Sequence, residues 1–194
     1  MCSTEANRCN GRSSESFVDG TNEGVAYPKY WLAVLVQMNT EKKASARLDR
    51  LGIVNYVATQ TEVHQWSDRK KTIRRIVIPM VVFVRVDKVT EKKLLACSFV
   101  HKYISYPGHS EPAVIPDEQI DRLKFMLECA DSKVEILEKA FEIGDEVEIV
   151  RGPLKGISGR LFLIEQGRSM VGIHLDLFGY ACVNVNKNDL ISKK

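Results

Sequence analysis

Phe141-Glu-Ile-Gly-Asp-Glu-Val-Glu-Ile-Val-Arg-Gly-Pro-Leu-Lys-Gly-Ile-Ser-Gly-Arg160 reads as a strand, a glycine-dense turn and the start of a second strand. Val147 and Ile149 alternate with Glu146 and Glu148, the period-two pattern of a half-buried strand. Gly152-Pro153 breaks the ladder, and Gly156 and Gly159 supply positions where positive φ carries little penalty. Leu161 to Ile164 and Met170 to Leu177 continue as short apolar runs divided by Gln166-Gly167. This pattern predicts a small all-β barrel over residues 141–194.

Upstream, the pattern changes. Tyr30-Trp-Leu-Ala-Val-Leu-Val36 is a continuous apolar run, as a central strand requires. Thr40 is read as an N-cap, with Ala44, Leu48 and Leu51 on one helical face, Gly52 as the stop, and Lys42, Lys43, Arg47 and Arg50 facing outward. Ile53 to Ala58 and Thr61 to Trp66 read as strands, and Ser67 to Lys71 as a polar turn. Ile73 to Val86 is strongly β-forming with a break at Pro79. A second short helix is read from Thr90-Glu91 and a short strand at Tyr103 to Tyr106. A third helix begins at Asp117, with Ile120, Leu123 and Leu127 aligned. The expected organisation is a disordered leader at 1–27, an α+β domain at 28–129, a charged linker at 130–140 and the β domain at 141–194.

Composition narrows the class. Hydrophobic residues make up 44% and charged residues 27%, the balance of a soluble globular chain. No apolar run approaches the roughly 18 residues that span a bilayer, and the polar Met1 to Gly24 stretch lacks a signal-peptide core, so the cytoplasm is the expected compartment. The five cysteines, at 2, 9, 97, 129 and 182, form no CxxC pair, which argues against zinc or a disulfide framework. The net charge of +3 is unevenly spread: residues 28–130 hold 17 Lys and Arg against 11 Asp and Glu, whereas residues 141–194 hold seven of each. The basic surface therefore lies on the first domain and suits a polyanion or an acidic partner. His64, His101, His109 and His174 lack matched acid or thiol spacing, and P-loop, GxGxxG and HExxH motifs are missing. A non-catalytic binding protein needing no cofactor or metal, and monomeric, is expected.

In order, these segments resemble the NusG family, in which an NGN domain is followed by one KOW domain. The resemblance is carried by Lys29-Tyr-Trp-Leu-Ala-Val-Leu, Glu41-Lys-Lys and Leu51-Gly-Ile-Val-Asn-Tyr-Val. It continues through Arg74-Arg-Ile-Val-Ile-Pro-Met-Val-Val-Phe-Val-Arg85 and Pro112 to Glu118. In the barrel, Leu177-Phe-Gly179 and Asn188-Asp-Leu190 match the family's KOW ending, so the likeness spans roughly residues 29–191. Where the family usually has Pro-Gly-Tyr, this chain has Pro79-Met80-Val81. With His64-Gln-Trp-Ser-Asp-Arg-Lys-Lys-Thr72, this resembles the specialised UpxY and RfaH type. That type implies operon-specific antitermination of polysaccharide (capsule) biosynthesis operons, as in Bacteroides-type bacteria.

The resemblance implies docking of the NGN domain on the clamp helices of RNA polymerase through Ile78, Tyr56, Val81 and Phe83, with Trp31 nearby. For Phe83 and Trp31, burial in the core is the ordinary alternative. It also implies contact with non-template DNA or nascent RNA through His64, Trp66, Arg69, Lys70, Lys71, Arg74 and Arg75. Cations beside an aromatic suit a single strand, although a solvated hairpin would look the same. Phe178 corresponds to the aromatic that family KOW domains present to a small-subunit ribosomal protein or to Rho; it could equally plug the barrel end. Its β-branched residues and glycines favour strands over a helical alternative fold. A competing class is a KOW-type ribosome- or RNA-binding structural protein, against which stands the neutral charge of residues 141–194.

Overall fold

The computed structural model describes residues 27–65, 70–137, 144–164 and 168–193. The leader expected at 1–27 lies outside these residues except for Tyr27. In chain order the elements are β1 (Tyr30–Val36), α1 (Glu41–Arg50), β2 (Val54–Tyr56), β3 (Thr59–Gln65), β4 (Lys70–Ile76) and β5 (Val81–Val86). They continue with α2 (Lys88–Leu94), β6 (Val100–Tyr103), β7 (Val114–Ile115), α3 (Asp117–Cys129) and β8 (Glu135–Leu137). The C-terminal strands are β9 (Glu146–Ile149), β10 (Ser158–Ile164), β11 (Arg168–Leu175), β12 (Gly179–Val185) and β13 (Leu190–Ser192).

The apolar run at β1 becomes the centre of an antiparallel sheet. β5 pairs along one side, from Tyr30 opposite Val86 to Leu35 opposite Val81. β6 and β7 share the other side, and β2 lies beyond β5. Because strand side chains alternate, Leu32, Val34, Val36, Val82, Val84 and Val86 project to one face, where Ala44 and Leu48 of α1 and Leu94 of α2 cover them. Trp31, Ala33, Val81 and Phe83 project to the other, against Ile120, Leu123, Met126 and Leu127 of α3. The α+β reading of this domain, an antiparallel sheet flanked by helices, is what the structure shows.

Thr40 is the N-cap residue of α1, its carbonyl accepting from the Ala44 N–H at 2.8 Å, while its hydroxyl donates to the Gln37 carbonyl, 2.6 Å away. Three local expectations change. The α2 helix begins at Lys88 rather than Thr90, because the Asp87 carboxylate accepts from the Val89 and Thr90 N–H groups at 3.0 and 2.8 Å. The strand read at Tyr103 to Tyr106 lies at Val100–Tyr103, where it can pair with Val34 to Val36 of β1. Lys70 and Lys71, read as turn residues, belong to β4. The break expected at Pro79 is real, and it separates sheets: β3 and β4 form their own two-stranded hairpin, while β5 joins β1.

The C-terminal residues form a six-stranded antiparallel sheet in the order β13-β9-β10-β11-β12-β8. Its inner face carries Val147, Ile149, Val171, Ile173, Ala181 and Val183. Phe162, Met170 and Cys182 form a smaller cluster. Gly172 sits where an added Cβ would lie 2.5 Å from the Phe162 ring and 2.8 Å from Cys182 Sγ, so glycine is required by space. β8 falls within the segment read as a linker: residues 135–137 pair with Tyr180, Ala181 and Cys182 of β12. Among the described residues, no helix is long and apolar enough to cross a membrane, and no cluster of His, Cys, Asp and Glu could hold a metal ion.

Candidate functional site

The face of the N-terminal sheet that carries α3 also gathers the five residues expected to dock on a partner. Trp31, Ile78, Val81 and Phe83 are all buried, Phe83 to 1% exposure, and Tyr56 is half-buried. The alternation of β1 and β5 puts Trp31 and Phe83 on one side, and β2 brings Tyr56 opposite Phe83 in register, their rings stacked with centroids 6.1 Å apart. Lys124 of α3 lies over both neighbouring aromatics, 5.0 Å from the Trp31 ring and 5.4 Å from that of Tyr56. The Trp31 indole N–H donates to Asp117 at 2.8 Å, which satisfies its polar edge at the start of α3. Burial, with Glu128 contributing, pushes the Tyr56 phenol above its ordinary pKa.

Ile78 and Val81 flank a tight turn. Met80 there adopts φ of 63°, the left-handed region that glycine occupies freely and a side chain does not. Its N–H donates to Glu41 at 2.7 Å, and its carbonyl accepts from the Val36 N–H at 2.8 Å. Met80 thus takes a glycine-type backbone and adds a side chain to it. Glu41 is 1% exposed, so this tie is dry.

Across this face lies the C-terminal sheet. Phe178, in the turn between β11 and β12, meets Phe83 edge-on, with centroids 5.7 Å apart and ring planes at 81°. Gln119 of α3 donates to Asp176 at 2.7 Å, and Arg122 donates to the Ser158 carbonyl. A groove of about 760 Å³ runs along the seam, lined by Ile78, Val81, Ile136, His174, Leu177 and Phe178 among others. His174 Nδ1 stands 3.3 Å from Asp176 Oδ1 within it. Sequence reading missed Gln119, Arg122 and Lys124, which look there like ordinary polar positions of an exposed helix face.

Of the residues expected to contact nucleic acid, His64, Lys70, Lys71, Arg74 and Arg75 lie in the strands of the β3–β4 hairpin. Trp66 and Arg69 lie outside the described residues. His64 pairs with Lys71 in the hairpin register, and Gln65 pairs with Lys70. Arg74 is exposed, and its carbonyl accepts from Lys42 of α1 at 3.0 Å. Arg75 turns back instead: it pairs with Glu62 and donates to Gln60 at 3.2 Å and to the Val134 carbonyl at 2.9 Å. The hairpin therefore presents Arg74 outward, while Arg75 is engaged in structure.

The family model described as NusG, transcription termination factor nusG, matches residues 29–124, and this part of the chain carries NusG-family homology. Among solved structures, the chain is similar to the one described as "Domain interaction in Thermotoga maritima NusG", at 19% identity and a TM-score of 0.46, over 86% of this chain and 98% of that one. It is also similar to a chain of the MjSpt4:Spt5 complex in conformation B, at 18% identity and a TM-score of 0.28, over 84% of this chain and 97% of that one. No curated relative matches.

Proposed function

We propose that this protein is a specialised transcription antiterminator that docks on the clamp helices of elongating RNA polymerase through the face formed by Trp31, Tyr56, Ile78, Val81 and Phe83. The reading is supported by the match of residues 29–124 to the NusG family model. The observation that carries it is that these five side chains lie on one face whose cover is shared between α3 and a separate module, the C-terminal sheet, which reaches Ile78, Val81 and Phe83. An apolar, aromatic surface is what recognition of a helical coiled coil requires. With the C-terminal sheet seated on it, the surface is closed, so docking requires that sheet to move away. Phe178 is engaged by Phe83 in the same state, and a partner of the C-terminal sheet, such as a small-subunit ribosomal protein or Rho, would reach it only in the open form. The C-terminal sheet is here the KOW module of the family.

On this reading, Arg74 of the β3–β4 hairpin faces non-template DNA or nascent RNA. Arg74→Gln then lowers affinity for single-stranded DNA and reduces its salt slope by about one. Dedication to polysaccharide (capsule) operons in the cytoplasm rests on the resemblance of Pro79-Met80-Val81 and of residues 64–72 to the specialised paralogues.

The test is equilibrium binding of the full chain to purified cognate RNA polymerase. Phe178→Ala loosens the cover without altering the face, and binds roughly tenfold more tightly than wild type. Adding Ile78→Asp to it abolishes binding, and the general NusG competes. If Phe178→Ala and wild type both fail to bind at micromolar concentration, the docking face is misassigned.

A further inference from the structure

We propose that residues 132–137 act as a two-sided clasp between the domains, and that Gln60 is the residue that sets the equilibrium between their closed and open arrangements. The inference concerns domain closure alone and stands whatever the apolar face binds.

Gln60 belongs to β3 but is only 3% exposed, which is unusual for a carboxamide unless both of its ends are satisfied. Its Oε1 accepts from the Val134 N–H at 2.9 Å, and its Nε2 donates to the Ser132 carbonyl at 2.8 Å. In an extended chain, the carbonyl of one residue and the N–H two residues later point to the same side. The Gln60 side chain therefore serves as one peptide unit of a neighbouring strand. Arg75, held by Glu62, completes that edge by donating to the Val134 carbonyl at 2.9 Å. Three backbone groups of the segment are thus taken up by side chains of the hairpin.

The other side of the same segment belongs to the C-terminal sheet. Glu135, Ile136 and Leu137 pair with Cys182, Ala181 and Tyr180 of β12. The Ser132 hydroxyl donates to the Asn184 carbonyl at 3.3 Å, and the Val134 side chain is fully buried in the apolar cluster that runs across both domains. A segment gripped this way cannot slide. The apolar seam at Phe83 and Phe178 is non-directional, whereas the clasp fixes register: a segment that leaves together with β12 keeps its ladder but gives up its bonds to Gln60 and Arg75. Seam and clasp therefore open as one step.

The test uses the full chain carrying Leu177→Cys, a reporter at a half-buried seam position. Its labelling by a thiol reagent is followed peptide by peptide. Gln60→Ala removes both carboxamide bonds and speeds labelling at position 177 about tenfold or more. Cys97 and buried Cys182 report on the N-terminal and C-terminal cores and keep their wild-type rates. A position-177 rate within twofold of wild type overturns the proposal, because the apolar seam alone would then hold the domains. If Gln60→Ala also speeds Cys97 or Cys182, Val134→Pro decides, since it deletes the same hydrogen bond from the linker side. A gain confined to position 177 in that variant supports the clasp, and no gain sinks it.

Discussion

Phe178 stands edge-on to Phe83 with ring centroids 5.7 Å apart, so the aromatic of the C-terminal sheet and the aromatic at the centre of the N-terminal face occupy each other. Each ring would suit an external partner, and in the closed molecule neither is available. The contact joins two units that each have a sheet of their own, and it makes their apolar clusters continuous. On the function proposed above, one equilibrium would govern the interaction surfaces of both domains.

Phe178→Ala deletes this edge-to-face pair and the burial that accompanies it, a loss of about 2 kcal/mol for a half-buried ring. Wild-type protein is expected to unfold in one calorimetric transition because the domains share a cluster. The variant is expected to show two. A single unshifted transition in the variant would mean that the ring pair contributes little to coupling.

Met80→Gly is expected to stabilise the fold. The left-handed backbone at φ of 63° is strained for methionine and free for glycine, and relief of that strain exceeds the entropy cost of glycine by about 0.5–1 kcal/mol. The urea midpoint should rise with no change in slope. A fall in midpoint would show that the Met80 side chain contributes packing worth more than the strain.

Asp87→Ala removes the cap of α2 and is expected to cost about 1 kcal/mol at neutral pH. The backbone N–H of Thr90, ahead of that of Val89, holds the Asp87 carboxyl below its ordinary pKa. A carboxyl depressed in the folded state contributes stability above its unfolded pKa, near 4, and loses it as pH falls through the lower folded value. The difference between wild type and variant should be full above about pH 4 and shrink at more acidic pH. Chemical denaturation at a series of pH values measures it, and a difference that grows on acidification would contradict the assignment.

Gly172→Ala forces a methyl group to within 2.5 Å of the Phe162 ring and 2.8 Å of Cys182 Sγ. Overpacking of this kind costs about 1–3 kcal/mol. The melting transition of the full chain should fall to lower temperature. Calorimetry measures it, and an unchanged transition would show that the sheet relaxes around the methyl.

Much of the architecture is legible in local sequence because its causes are local. The run Tyr30–Val36 could only be a strand buried on both faces, and it is the centre of the sheet. Pro79 cannot continue a ladder, and the chain turns there. Asp117 opens α3 after Pro116, as its acidic first turn suggests. The misreadings come from choices that neighbours make. Thr90 looked like a helix start, but Asp87 offered a carboxylate that starts α2 earlier. The strand after α2 lies at Val100–Tyr103 because β1 supplies partners there. The segment 135–137 reads as charged tether, and it became a strand because β12 had a free edge.

By itself, the sequence determined which residues alternate, where helices and turns must break, and which side chains needed burial, since propensity and periodicity act over a few residues. The family resemblance carried by its motifs, rather than periodicity, singled out Phe83, Phe178 and the cationic hairpin. Only the tertiary structure decided what each one meets. Phe83 faces Phe178, Arg75 turns inward to Val134 while Arg74 faces outward, and Gln60 binds a backbone 74 residues away. Those pairings depend on long-range packing, in which the burial of one apolar face selects its cover and every polar group enclosed by that cover must find a partner.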